Sequence, residues 1–394
     1  MAAATRIVVV GAGLAGLRTV EAVLDRDEGH DVTLIGDEPH APYNRPPVSK
    51  QLLTGAMEPD ECAFPAAALD SVRTLFGRAA TGLDRGGRQV GLDDGTSVGY
   101  DRLVVATGRR ARTWPDPPAL SGFHLLRTLD DAVGLRAHLA RRPRVVVVGA
   151  GFIGCEAAAA LRSGGLEVDL VEMGPQPMPA LGAEIGARTA RVHADHGVRL
   201  HLGRTVAAFE GHDGAVSSVR LDDGTTIPAD AVLLSLGSMP NTEWLSSSGL
   251  TLHRGAVLTD VHGISVDDPA VAAAGDCAAW PHPALDDAVS VEHWNNAAEM
   301  ARAVVGNLLA EVDERAAFAP VPTFWSDQYD LKIKSAGFLA SADRIEIVDE
   351  GPGPALVAEA RRGDELVGVV TVNQNKRFLQ YRRQLASRPV GASA

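Results

Sequence analysis

The chain has 394 residues, 45% of them hydrophobic and 22% charged. That composition excludes a largely disordered protein, and the length favours two or three domains over a single core. The net charge of −13 argues against nucleic acid as a general partner, because nothing would offset phosphate repulsion. Cys62, Cys155 and Cys277 are neither paired nor spaced like metal ligands, so no metal site is expected and the compartment is read as reducing. The first strand-like run begins at Arg6, which leaves no room for a signal peptide. The longest apolar stretch, residues 145–155, is too short to span a bilayer. A soluble cytoplasmic protein with no membrane partner is the expectation.

Arg6–Val10 is a continuous apolar, largely β-branched run, the pattern of a parallel strand buried on both faces. It enters Gly11-Ala12-Gly13-Leu14-Ala15-Gly16, followed by a helical pattern over residues 17–24, a strand over residues 31–35 and the acids Asp37 and Glu38. Gly11 permits the tight turn, Gly13 lets the backbone approach a pyrophosphate, and Gly16 allows close helix–strand packing. The helix N-terminus then offers unpaired N–H groups and a positive dipole end to phosphates. Further on, Asp93-Asp94-Gly95-Thr96 leads to a strand ending in Ala106-Thr107-Gly108.

The unit recurs. A second β-branched strand enters Gly149-Ala150-Gly151-Phe152-Ile153-Gly154, a helix through Leu161, and a strand over residues 168–172 that ends in Glu172. From Gly11 to Gly149 the displacement is 138 positions. Asp222-Asp223-Gly224-Thr225 and the strand ending in Gly237 repeat the later pieces with a displacement of 129. One glycine motif of this kind is weak, since such turns also merely join a strand to a helix. Two, each in the strand–turn–helix–strand–acid context, identify two dinucleotide-binding units. Two dinucleotides in one chain imply electron traffic, because a nicotinamide needs a second redox centre for its hydride.

The repeats divide the chain into a first unit over residues 1–112 and 240–315, an inserted unit over 113–239, and a C-terminal domain over 316–394. Ala319-Pro-Val-Pro-Thr323 reads as a linker, and the alternating runs over residues 346–348 and 366–372 predict antiparallel strands. The fold class expected is α/β, with two Rossmann-like dinucleotide-binding domains and a small α+β C-terminal domain.

Three further segments carry a resemblance: Pro42-Tyr43-Asn44-Arg45-Pro46-Pro47-Val48-Ser49-Lys50, Ala273-Ala274-Gly275-Asp276, and Phe324-Trp325-Ser326-Asp327-Gln328-Tyr329. With the glycine loops, they resemble the ferredoxin reductases that serve bacterial cytochrome P450 and aromatic-ring dioxygenase systems, within the glutathione-reductase-like flavoproteins. The resemblance extends over nearly the whole chain. It implies FAD on the first unit and NAD(H) on the second. Ala15 and Asp37, with Leu14 beside them, would contact the adenosine and pyrophosphate half of FAD, and Arg45 and Lys50 would lie near the flavin and its phosphates. Ala80, Ala106, Thr107, Gly108 and Arg127 would be further contacts. Asp276 would hold the ribityl chain after Gly275, with the following helix aimed at the flavin. Glu292, His293, Trp294 and Trp325 would flank the ring system.

On the NAD side the resemblance adds Glu156 against the nicotinamide end, beyond the loop residues Phe152 and Ile153. Lys50 and Glu156 are the candidate catalytic residues. Plainer roles stand beside these: a solvated charge for Lys50 or Arg127, a helix cap for Asp276, core packing for Trp294 and Trp325. Glu156 would also be favourable near a helix N-terminus for its charge alone. Cys155 and Cys277, in alanine-rich stretches read as helical, are taken as inert packing.

The chemistry implied is hydride transfer from NADH to the flavin, then single electrons to a [2Fe–2S] ferredoxin that feeds a cytochrome P450 or dioxygenase. No acid–base pair is required, so the protein supplies orientation and charge environment. A disulfide reductase would need a redox-active cysteine pair, which the sequence lacks. A rubredoxin reductase and a signalling flavoprotein like the apoptosis-inducing-factor relatives are the alternatives. Glu172 favours NADH over NADPH, since a carboxylate there repels a 2′-phosphate and no Arg or Lys follows before Arg188. Residues 315–394 carry 11 Lys/Arg against 9 Asp/Glu, whereas the remainder carries 26 against 41. The basic positions Lys376, Arg377, Arg382, Arg383 and Arg388 are therefore the expected docking face for an acidic carrier.

Overall fold

Arg6–Val10 is the central strand of a five-stranded parallel sheet in the computed structural model, which describes residues 4–65 and 67–387. It lies between Asp31–Gly36 and Arg102–Val105, with Arg73–Phe76 and Val271–Ala273 at the edges. Ile7, Val8, Val9 and Val10 are buried, as a sheet covered on both faces requires. The helices Leu14–Leu24 and Trp294–Leu309 pack against each other over this sheet.

The second unit repeats the order. Val145–Val148 lies between Val168–Glu172 and Ala231–Leu234, with Arg199–Leu202 and Phe123–His124 outside them, all parallel. Each unit also carries a three-stranded antiparallel sheet, Ala80–Asp84 with its two neighbours and Val206–His212 with its own. Even the turn chemistry recurs: the side chains of Asp94 and Asp223 accept the N–H groups of Thr96 and Thr225, each at 3.0 Å, as Asp does in turns. The chain passes between the units twice, and the two crossings, Arg109–Ala111 and Ser238–Pro240, pair antiparallel.

The C-terminal sheet is antiparallel, in the order Thr323–Gln328, Leu331–Gly337, Glu365–Val372, Leu356–Arg362, Arg344–Glu350. Both alternating runs read from the sequence fall within its strands. Side chains alternate between its faces. Leu356, Ala358, Val370 and Val372 join the core of the second unit beside Met178, Leu181 and Ile185. On the opposite face, Val357 and Val369 are covered by Phe378 of the helix Asn375–Ala386.

One reading is corrected. The alanine-rich stretch after Asp276 is not helical: Gly275–Cys277 is a single 3-10 turn that runs into the strand Ala278–Pro281. Ala278, Ala279 and Trp280 are fully buried there, so tertiary packing in the sheet outweighs helix propensity. Asp276 therefore caps no following helix, and the helix directed at the site is Trp294–Leu309. Cys155 does sit in a helix, Phe152–Ser163. All three cysteines are buried and unpaired, and burial pushes the Cys155 and Cys277 thiols up, away from the reactive thiolate.

The loop glycines divide into two kinds, identically in both units. A Cβ on Gly16 would stand 1.8 Å from the Gly11 carbonyl oxygen, and one on Gly154 1.9 Å from that of Gly149. A Cβ on Gly13 or Gly151 would meet no protein atom within 4 Å. Packing demands the third glycine of each loop and is indifferent to the second. In FAD-free protein, Gly16→Ala should lower Tm by roughly 5 °C, the scale of an overpacked contact, while Gly13→Ala leaves it within about 1 °C. Differential scanning calorimetry of the two variants checks the contrast.

Candidate active site

A cavity of ≈ 600 Å³ opens where the two units and the C-terminal sheet meet. The first glycine loop forms one wall through Gly11, Gly13, Leu14 and Ala15, with Asp37 from the end of the second strand. Ala106, Thr107 and Gly108 form the floor where the sheet ends. Phe152, Ile153 and Glu156 enter from the second unit, and Trp325 from the C-terminal sheet. The helices Leu14–Leu24, Phe152–Ser163 and Trp294–Leu309 begin at this cavity, and none has a side-chain cap on its N-cap residue. Their first N–H groups are left for an anion, with the dipole favouring it.

Glu156 lines the cavity, and both of its oxygens are engaged. It is 4% exposed, and Lys50 Nζ lies 2.8 Å from its Oε2. Ser49 Oγ donates to the same oxygen at 2.7 Å, and Ser326 Oγ donates to Oε1 at 2.7 Å. The donors come from two separate stretches of chain, the turn that carries Ser49 and Lys50 and the strand that carries Ser326. Lys50 is thus neither solvated nor free; its side chain is 16% exposed. The 3-10 turn Pro46–Ser49 sets the approach of both Ser49 and Lys50, because its prolines fix the backbone.

On the opposite wall Arg127 donates to Asp276 Oδ2 at 2.9 Å and to the Arg109 carbonyl at 3.0 Å. Arg127 is therefore part of the cavity wall. Arg45 donates to the Arg127 carbonyl at 3.0 Å and forms an ion pair with Glu38. Tyr43 donates to Glu38 at 2.6 Å and accepts from Leu129 N at 2.9 Å, and burial raises its pKa. Glu292 receives Ser238 Oγ and Arg109 Nε, at 2.5 and 3.2 Å. His293 lines the cavity with Nδ1 buried and unpartnered among the described residues, and burial lowers its pKa, keeping it neutral.

Trp294 and Trp325 meet edge to face, 6.0 Å between centroids, and Trp294 Nε1 donates to Asn44 Oδ1 at 3.1 Å. Phe324 stacks obliquely on Phe152 at 4.0 Å and lies 5.6 Å from His293. The aromatics thus close one side of the cavity rather than filling an interior core.

Several expected residues lie off this cavity. Gly16, Gly154 and Gly275 serve packing; a Cβ on Gly275 would press on Ala15 at 3.0 Å. Ala80 lines a smaller space of ≈ 250 Å³ that shares Gly11, Asp37 and Thr107 with the main one. Gly149, Gly151 and Gly237 sit at the second loop and the crossover beyond it. Glu172 ends its strand with both oxygens engaged, accepting from Ala150 N at 2.7 Å and Gly174 N at 2.8 Å. Folding also brings Arg204 beside it, unseen in the linear spacing: its N–H donates to the Glu172 carbonyl at 3.0 Å, while its guanidinium pairs with Asp223 at 2.7 Å.

The sequence reading misses Glu38, Tyr43, Ser49, Ser326 and Phe324 as site residues. Glu38 stands next to the expected Asp37, and the others are letters of the quoted motifs. No periodicity or spacing marks their contacts.

The residues present fit two dinucleotides: Gly13 open toward the cavity and Gly151 open at the second loop, uncapped helix N-termini for phosphates, and flat aromatic walls. Residues 5–301 match the pyridine nucleotide-disulphide oxidoreductase family and residues 323–392 the reductase C-terminal family. Rhodocoxin reductase of Rhodococcus erythropolis is 35% identical, over 97% of this chain and 89% of that one. The ferredoxin–NAD(+) reductase component of the anthranilate 1,2-dioxygenase system of Burkholderia cepacia is 35% identical, over 96% of this chain and 94% of that one. The covalent putidaredoxin reductase–putidaredoxin complex superimposes with a TM-score of 0.90 at 32% identity, over 98% of this chain and 94% of its counterpart. With both units, the C-terminal sheet and the cavity between them accounted for, the chain belongs to the pyridine nucleotide-disulphide oxidoreductase family, among the FAD- and NAD(H)-dependent ferredoxin reductases.

Proposed function

We propose that the protein oxidises NADH and passes the electrons singly to a [2Fe–2S] ferredoxin that supplies a cytochrome P450 or a ring-hydroxylating dioxygenase. One observation carries this reading: a single cavity runs from the first glycine loop to Phe152 and Glu156 at the start of the second loop's helix. The names of the relatives, reductases of rhodocoxin, putidaredoxin and ferredoxin, support it. FAD bound in the cavity supplies the centre that accepts a hydride and gives up electrons one at a time.

The chain's own residues bind, orient and exclude water. We assign Gly13 and the Leu14–Leu24 helix N-terminus to the FAD pyrophosphate, Asp276 to its ribityl chain, and Gly151 with Glu172 to NADH. Lys50 and Glu156 hold the charge at the nicotinamide end, and Phe152 with Phe324 keeps water from it. Domain boundaries at 112/113, 239/240 and 315/316 follow, the first two beside the paired crossover strands. No described helix is long and apolar enough to cross a membrane, and three unpaired cysteines suit a reducing cytoplasm.

For the carrier, we place the docking face on a groove of ≈ 780 Å³ lined by Trp325, Lys332, Lys334, Asn375, Phe378 and Arg382. This shifts the face read from the tail. Arg382 lines the groove, but Arg377 turns toward Asp349 and Tyr381, and Lys376 lies off the groove. Arg388 falls outside the described residues. Lys334 stands 5.6 Å from the Phe378 ring and bonds Asn375 at 2.6 Å, so its charge is held at the groove beside Trp325.

The first test is cofactor content. Because Gly13 has open space beside it, Gly13→Val should fold with a normal circular dichroism spectrum yet purify with less than about a tenth of the parent's FAD. Normal FAD content would remove the first loop from the FAD site.

The second is nucleotide choice. The protein should prefer NADH to NADPH in kcat/KM, and Glu172→Ala should narrow the preference about tenfold, the scale of one charge-assisted interaction lost. An unchanged ratio would place discrimination elsewhere.

Electron delivery is the third. NADH-driven cytochrome c reduction should depend on added ferredoxin. Lys334→Glu with Arg382→Glu should raise the KM for ferredoxin about tenfold at low ionic strength, and added salt should narrow the difference from the parent as screening removes the steering. Flavin reduction by NADH should not change. A KM for ferredoxin unaltered across the salt series would put docking on another face.

A further inference from the structure

The strand Thr323–Gln328 presents Phe324, Ser326 and Gln328 toward the second unit, and Trp325 toward the groove. Behind Ser326 the polar contacts continue. Gln328 Nε2 donates to Ser326 Oγ at 3.1 Å, and His193 Nε2 lies 2.9 Å from Gln328 Oε1. Ser326, Gln328 and His193 are all 1% exposed or less. His193 sits on the helix Ala183–Asp195 of the second unit, far in sequence from the other two. Its Nδ1 has no partner among the described residues, so the proton belongs on Nε2, where it meets an acceptor. Burial lowers the His193 pKa, which keeps the ring neutral.

The donors therefore all point one way: His193 to Gln328, Gln328 to Ser326, Ser326 to the Glu156 carboxylate. Each bond polarises the next, and the series ends on a buried anion. None of the three side chains lines the main cavity, so their polarity is not explained by cofactor contact. An apolar trio would fill the same space without the cost of burying hydrogen-bonding groups.

We propose that Ser326, Gln328 and His193 are positioning residues that act through Glu156, fixing its Oε1 while Lys50 and Ser49 hold Oε2. The inference rests on the assignment of Glu156 to the nicotinamide end of the site. It adds a function for the C-terminal sheet besides covering the cavity: one of its strands sets the geometry of the hydride-transfer site.

Anaerobic stopped-flow mixing of the FAD-loaded protein with NADH tests it. Ser326→Ala should slow the limiting rate of flavin reduction about tenfold, one charge-assisted hydrogen bond at about 1.4 kcal/mol per decade. The apparent Kd for NADH and the FAD content should stay within about twofold of the parent. Ser326→Thr, which keeps the hydroxyl, should restore most of the rate. Gln328→Met, which keeps the volume and removes the donor to Ser326, should cost about threefold and carries the test should Ser326→Ala fold poorly.

A second readout does not depend on turnover. In 15N-histidine-labelled protein, with or without FAD, Glu156→Gln should shift the His193 Nε2 proton resonance, because the anion at the far end polarises the chain. Limiting rates within about twofold of the parent for both Ser326→Ala and Gln328→Met, or an unmoved His193 resonance, would overturn the proposal. Glu156→Gln separates the two levels of inference. If it slows flavin reduction while the other variants do not, the positioning chain alone fails; if it leaves flavin reduction unchanged, the assignment of Glu156 fails with it.

Discussion

Burying a carboxylate is the constraint on which this structure turns. Removing an ion from water costs several kcal/mol, and the cost is recovered only when good geometry satisfies its oxygens. At Glu156 the satisfying groups are Lys50, Ser49 and Ser326. They reach it from the 3-10 turn of the first unit and from the first strand of the C-terminal sheet. Neither unit alone satisfies both oxygens of this carboxylate, and removing one partner of a buried pair typically costs about 3–5 kcal/mol. The same contacts that hold a charge near the nicotinamide end thus hold the three parts of the chain in register.

The C-terminal sheet can deliver Ser326 to that position because its inner face is not independent of the second unit. Leu356, Ala358, Val370 and Val372 share one hydrophobic cluster with Leu170, Met178, Leu181 and Ile185. Apolar burial is non-directional, so it brings the sheet and the unit together without specifying a hydrogen bond. The polar contacts at Glu156, and the ion pair of Arg188 with Glu350 at the same junction, supply the direction. Alternation along Thr323–Gln328 then places Ser326 toward Glu156 and Trp325 toward the groove.

The two glycine loops show how one local solution serves two tasks. The first and third glycines are required by contacts within the protein, at Ala106 and Gly11 in one unit and at Ser235 and Gly149 in the other. The second glycine answers to no protein atom in either, and what it accommodates lies in the space it leaves. The units diverge beyond the loop. Asp37 faces the cavity and Glu38 braces Arg45 and Tyr43, whereas Glu172 uses both oxygens to tie its own loop at Ala150 and Gly174.

Much of this was legible in the linear sequence. The repeated strand–glycine–helix pattern, the displaced Asp-Asp-Gly-Thr turns and the two late alternating runs mark the fold class and the repeated units, because each depends on interactions between near neighbours: a period of two or 3.6, a turn, a helix start. Gly13, Asp276 and Trp325 stand in recognisable motifs and line the cavity, whereas Arg127 and Trp294, which also line it, were reached only through the wider resemblance. What the tertiary structure decided depends on residues distant in the chain. The Ala278–Pro281 stretch became a strand because it pairs and packs inside a buried sheet, whatever the local helix preference. Glu38, not its neighbour, became the partner of Arg45. Arg204 arrived beside Glu172, and Arg377 turned away from the groove that Lys334 and Arg382 line. The meeting of Ser49, Lys50, Glu156 and Ser326 belongs to this second class. The 170 positions between Glu156 and Ser326 are closed only by the packing of one sheet on another unit, and no pattern along the chain records a contact of that kind.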